Sequence, residues 1–168
     1  GAVTEAARNT NERLLLMGSV PEPPQPLSPP GKYGDMYKRE DMGVPAAYEA
    51  DDWDPPEYIK VAERDRAKDP NLGQMEGYSV AVSKQEALEA RALTCGMISM
   101  LDDAVGRVRA AAADPGVADN IVQIYTPDHG DQLVHHRLLF KGAAPYESPT
   151  HVPSIWLEPK GRTRMRTR

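Results

Sequence analysis

Asp128, His129 and Lys141 are the residues of this chain whose types and spacing could do chemistry. Asp128-His129 lies within Thr126-Pro127-Asp128-His129-Gly130-Asp131, and Lys141-Gly142 begins thirteen residues after Asp128. An adjacent carboxylate and imidazole offer a divalent cation one oxygen and one nitrogen, a mix suited to manganese, zinc or a tolerant calcium site. Gly130 lets the chain turn sharply behind them. A lysine beside a glycine can bring a point charge to a phosphate or sulfate oxygen. Each feature also has a plainer reading: Asp and Gly are ordinary turn residues, and a lone lysine is most often a surface lysine. His135 and His136 are adjacent, so in regular structure they would point apart. The plain reading is one solvated histidine and one bonded to a loop. His151 precedes a proline segment and reads as structural. Nothing beside Cys95 would activate a thiolate, and the residue reads as core or near-core.

These residues need elements to position them. Ile121-Val122-Gln123-Ile124-Tyr125 is short, β-branched and nearly all apolar, which predicts a strand covered on both faces. A second apolar run, Leu14-Leu15-Leu16-Met17, predicts a buried strand over about 13–20. Between them stands a helix over about 84–113. Ser83-Lys84-Gln85-Glu86 is a capping box; Leu93, Met97, Leu101, Val105 and Val108 recur at helical spacing; Asp114-Pro115-Gly116 ends the run. Asp102, Asp103, Arg107 and Arg109 lie off that stripe and should face solvent. Gly96 and Gly106 each weaken the helix by roughly 1 kcal/mol relative to Ala, or else let a neighbour approach closely. Strand, helix, strand predicts an α/β fold with a mainly parallel sheet and packed helices. Ligands in such sheets bind beyond the carboxyl ends of the strands, where Asp128 and His129 fall.

The chain has 168 residues, enough for one ordinary domain. Six of its sixteen prolines fall between Pro21 and Pro30, a stretch that can be neither helix nor central strand. Residues 34–82 are acidic and punctuated by Pro and Gly, and read as long loops with short helices around Asp54–Lys68. The net charge is −5, yet residues 160–168 hold five basic residues and no acid. The body therefore lacks a basic surface for nucleic acid, and the segment 161–168 reads as a basic disordered tail. A single cysteine excludes an internal disulfide framework. No stretch is long and apolar enough to span a membrane, and the first residues show no signal-peptide pattern.

Taken together these residues resemble the sulfatase family of the alkaline-phosphatase superfamily. The likeness runs from about Leu14 to Pro159 and is strongest over Asp119–Asp131. It continues through Leu138-Leu139-Phe140-Lys141-Gly142-Ala143, Tyr146-Glu147-Ser148 and His151-Val152-Pro153-Ser154-Ile155-Trp156. Gly96-Met97-Ile98, Asp102, Val105-Gly106 and Pro29-Pro30-Gly31-Lys32-Tyr33 match as well. The resemblance implies that residues 1–160 are the second half of a catalytic domain, part of an alkaline-phosphatase-like sandwich. It implies that Asp128 and His129 are ligands of a divalent cation, calcium or manganese, and that Lys141 binds the sulfate or phosphate-like group. The substrate it implies is a small sulfate or phosphonate ester. The family's nucleophile is a formylglycine made in a C/S-x-P/A-x-R motif. That motif is absent from this chain, as are the paired acids that complete the metal site; both are expected upstream of residue 1. The chain also departs from the family pattern: Pro24 stands where a histidine is common, Pro127 where Ser or Thr is usual, and Val134-His135 where a Gly-acid pair is common. The fragment is accordingly expected to be inactive alone. The alternatives are a phosphonate or phosphate ester hydrolase of the same superfamily, or a non-catalytic relative acting as a binding protein.

Overall fold

The computed structural model describes residues 15–21, 26–50, 54, 56, 57, 60, 61, 79–113, 118–141, 146–159 and 163–166. Its longest element is helix α2, Lys84–Ala112, which follows the short helix α1, Ala46–Glu49. The expected capping box is present in both directions: Ser83 Oγ accepts the Glu86 N–H at 3.4 Å, and Glu86 Oε2 accepts the Ser83 N–H at 2.9 Å. Two otherwise unpaired donors at the helix start are thereby satisfied.

The buried face of α2 differs from the predicted stripe. Ala87, Ala90, Thr94 and Met97 are buried, whereas Val108 is 69% exposed. Helical spacing is kept, but on this stretch of α2 small residues face the core. The core joins Ala87 and Ala90 to Tyr48, Val80, Val82, Val134 and Leu139. Tyr48 lies at its edge and donates its hydroxyl to the Val82 carbonyl at 3.1 Å. Val80 and Ala81 form β1, which pairs antiparallel with β3, Leu138–Leu139.

Gly96 and Gly106 separate cleanly. A Cβ on Gly96 would lie 2.2 Å from the Tyr33 carbonyl oxygen, while one on Gly106 would meet nothing within 4 Å. Gly96 therefore lets the early loop lie directly on the helix. Tyr33 and Lys32 complete that docking by donating to Asp103 Oδ2 at 2.6 and 3.1 Å. Asp103 stays half-exposed, as expected, and also holds the loop; the Tyr33 hydroxyl and the Lys32 ammonium keep its carboxyl below the usual pKa. We expect Gly96→Ala to destabilise the chain by about 1–3 kcal/mol through overpacking, despite better helix propensity. Gly106→Ala should stabilise it by about 1 kcal/mol. Urea denaturation of the two variants checks this opposition in sign.

The parallel pairing expected from the sequence is not among the described strands. The second sheet has the order β2-β4-β5, built from Gln123–Tyr125, Ser154–Leu157 and Thr163–Arg166, with both pairings antiparallel. No parallel pairing occurs among the described residues, and residues 15–20 are not a strand; Leu15 is 92% exposed. The chain mixes helices and strands, so the α/β class holds in that coarse sense. Among the described residues β2 has a strand neighbour on one side only, and Val122 and Ile124 are each 54% exposed. Its composition suits two covered faces, but no strand among the described residues covers its outer edge. Within the stretch 161–168, residues 163–166 form β5, paired antiparallel with β4. Pro24 and most of the helical segment expected near 54–68 lie outside the described residues.

Candidate functional site

The site begins where β2 ends. Asp128 and His129 follow Tyr125 by three and four residues and remain solvent-accessible. Asp128 Oδ1 accepts the His129 backbone N–H at 2.9 Å, which fixes the carboxylate against its neighbour. Its other oxygen, Oδ2, lies 3.5 Å from His129 Nε2. That oxygen–nitrogen spacing is one a single cation can bridge, given metal–ligand bonds of about 2.0–2.6 Å.

The imidazole is oriented by its backbone. His129 Nδ1 lies 2.9 Å from the Gly130 carbonyl oxygen. A carbonyl only accepts, so Nδ1 carries the proton and donates, leaving the Nε2 lone pair outward. Histidine ligands of metals are commonly held this way. Lys141 Nζ lies 2.9 Å from that same Nε2, and an ammonium has donors but no acceptor, so it donates to the lone pair. The structure thus brings together all three expected site residues: Asp128, His129 and Lys141. Among the described residues no group of three or more His, Cys, Asp and Glu side chains could hold a metal.

Gly130 has a role other than the expected one. Its backbone is not left-handed; instead, a Cβ there would lie 2.4 Å from the Ser148 carbonyl oxygen. Gly130 N–H donates to the Pro149 carbonyl at 2.8 Å. The glycine therefore seats the Asp128-His129 pair against helix α3, Glu147–Thr150. His151 stays apart from the site, with Nδ1 3.3 Å from Glu147 Oε1. Cys95 is a partly buried free thiol on α2.

Residues 131–140 form a tight loop between the two halves of the site. Leu133, Val134, His136, Arg137 and Phe140 all have positive φ, Val134 at 71°. Such backbone is a marked outlier for a β-branched residue and costs on the order of 1–3 kcal/mol per position. It persists because the loop is held from several sides. Val134 N–H donates to Leu138 O at 2.8 Å, His135 N–H to Gln132 O at 2.8 Å, and Val82 N–H to Arg137 O at 2.9 Å. Arg137 Nε donates to Tyr48 O at 3.1 Å, and Val134 and Leu138 are fully buried. Val134 stands where the family pattern commonly has glycine, and its residue type does not reveal this backbone angle.

Asp131, to which the sequence reading gave no role, accepts the N–H groups of Leu133 at 2.7 Å and Phe140 at 3.1 Å. The residue keeps access to solvent, yet burial of its carboxyl lifts its pKa, against the lowering by these two bonds and by His129 and Lys141. His136 packs on Tyr146 with ring centroids 5.1 Å apart. Burial, and secondarily the charge of His135, holds its pKa below the ordinary value. The folded state then binds fewer protons than the unfolded state just below about pH 6.5. Stability should consequently fall as pH drops from there toward the folded pKa of His136. His136→Gln should reduce that fall, as read from urea midpoints above and below about pH 6.5.

The sulfatase family model matches residues 20–167. An arylsulfatase of Clostridium perfringens is 32% identical over 152 residues, covering 90% of this chain and 29% of that relative. The multifunctional alkaline phosphatase superfamily protein PehA of Trinickia caryophylli is 35% identical over 123 residues, covering 72% of this chain and 24% of that relative. The uncharacterized sulfatase YidJ of Escherichia coli is 42% identical over 64 residues, covering 38% of this chain and 13% of that relative. The chain thus spans less than a third of the length of each of these relatives.

Proposed function

The chain belongs to the sulfatase family, and from that premise we propose that it carries the cation- and anion-binding rim of a sulfuric ester hydrolase. The observation that carries this reading is the convergence of Asp128 Oδ2, at 3.5 Å, and Lys141 Nζ, at 2.9 Å, on the His129 Nε2 atom. Asp128 and His129 would hold a divalent cation, calcium or manganese, since their donor types and 3.5 Å spacing fit one; the cation would take the Nε2 lone pair in place of the Lys141 ammonium, which would turn to the anion. The cation when bound supplies positive charge beside the ester oxygens. Lys141 places an ammonium on the same rim, where it binds the sulfate group and stabilises charge that builds on its oxygens as the ester bond breaks. Holding these charges in place before reaction is what makes them effective. Asp128 is fixed by the His129 N–H, and the imidazole by the Gly130 carbonyl.

The nucleophile, a formylglycine, and the further acidic ligands would come from elsewhere in the longer protein, and the 168 residues alone would be inactive. Residues 1–160 would be the second half of its catalytic domain. There β2 would be one strand of a mainly parallel sheet in an alkaline-phosphatase-like sandwich. Its outer edge, uncovered among the described residues, and the exposure of Val122 and Ile124 support that placement. The substrate would be a small sulfate ester. A phosphonate or phosphate ester is the second reading, favoured by the likeness to a relative described as a multifunctional alkaline phosphatase superfamily protein. Both substrates present a tetrahedral oxyanion that one lysine and one cation can meet. Equilibrium dialysis of the chain against calcium and manganese tests the site. Weak binding that disappears in His129→Ala agrees with the proposal, and binding unaffected by that change contradicts it.

A further inference from the structure

We infer that Asp131 is a positioning residue that sets Lys141 against the Asp128-His129 pair, an inference that rests on the reading of that pair as the cation site. Its carboxylate spans the mouth of the 131–140 loop. One end of the loop is held through Leu133 N–H at 2.7 Å and the other through Phe140 N–H at 3.1 Å. The Phe140 carbonyl in turn accepts Gln132 N–H at 3.2 Å. Residue 140 is therefore gripped by both its N–H and its C=O, from 131 and 132, immediately before Lys141. Residue 131 is itself only two positions beyond His129. This short route ties the lysine backbone to the imidazole backbone, and Lys141 Nζ ends 2.9 Å from His129 Nε2.

Phe140 has a φ of 69°, an unfavourable backbone for a bulky residue. A carboxylate is a strong acceptor for backbone N–H groups, and the bond to Phe140 N–H holds that conformation in place. Asp131 thus acts through hydrogen-bond acceptance at two separated amides. It touches neither the cation nor the anion, and its action needs its oxygen rather than its charge.

Two substitutions separate the roles. Asp131→Asn keeps an acceptor oxygen of the same reach and loses the charge. Asp131→Ser keeps an acceptor for the nearby Leu133 N–H, as serine does in local turns, but is too short to hold Phe140 as well. In the isotope-labelled 168-residue chain three signals are read: hydrogen exchange at the Phe140 amide, cross-relaxation between the Lys141 side chain and the His129 ring, and broadening of Lys141 by manganese. The unmutated chain and Asp131→Asn should protect Phe140, show the Lys141–His129 contact and broaden Lys141. Asp131→Ser should lose all three while Asp128 and His129 still broaden. Protection at Phe140 retained in Asp131→Ser overturns the inference. So does an intact Lys141–His129 contact after that protection is lost, or loss of the contact in Asp131→Asn. Failure of manganese to broaden Asp128 and His129 in the unmutated chain would sink the cation reading alone; the exchange and cross-relaxation signals would still judge Asp131.

Discussion

Asp128→Ala should remove divalent-cation binding from the protein and, in a full-length form containing these residues, turnover with it. The carboxylate is the only oxygen donor of the pair, and it is already oriented by the His129 N–H at 2.9 Å. Changes to groups that merely orient metal ligands cost about 10- to 100-fold in affinity or activity. Loss of a ligand should cost more than about 100-fold. The fold should survive, because the Asp128 side chain is 87% exposed and takes no part in the core. Metal content after dialysis, beside an unchanged urea midpoint, checks both halves of the expectation. A variant that keeps full metal and full activity would show that Asp128 is a turn residue and no more.

Lys141→Ala should separate the two functions. Its ammonium contacts His129 Nε2 without being needed to orient the ring, which is held through Nδ1 by the Gly130 carbonyl. Cation binding should therefore persist, and it should not weaken when a positive charge leaves the neighbourhood. Sulfate binding should be lost, and turnover of the full-length form should fall roughly 100- to 1,000-fold, the usual effect of removing one group that stabilises an oxyanion. Titrating sulfate into the manganese-loaded protein reads the first effect, and single-turnover hydrolysis reads the second. Equal loss of metal and anion binding would mean that Lys141 supports the fold of the rim.

What was legible in the sequence was local. Helix α2 was readable because its signals lie within a few residues of one another: Ser83 and Glu86 at its start, apolar spacing along it, Asp114-Pro115-Gly116 beyond it. The grouping of Asp128, His129 and Lys141 was readable from motif order. What escaped depends on partners distant in sequence. The pairing of β2 with β4 is set by register between segments more than twenty residues apart, and an apolar run such as Ile121–Tyr125 does not say which neighbour will cover it. Gly130 read as a turn glycine because nothing nearby in sequence announces the Ser148 carbonyl beside it. Gly96 stood as a choice between helix weakness and close approach until Tyr33 was placed on it. The left-handed backbone of Val134 runs against its own local preference and is imposed by the core around it.

The central claim is that this chain supplies the cation-binding half of an ester-hydrolysing site. The most direct test is hydrolysis of an aryl sulfate and an aryl phosphonate ester by a full-length protein containing these residues. It is measured as purified, after chelation, and after calcium or manganese is returned. Cleavage should stop on chelation and recover with the metal, with the sulfate ester the better substrate. A protein that binds the metal at Asp128 and His129 yet cleaves neither ester would contradict it and leave a non-catalytic relative as the better description.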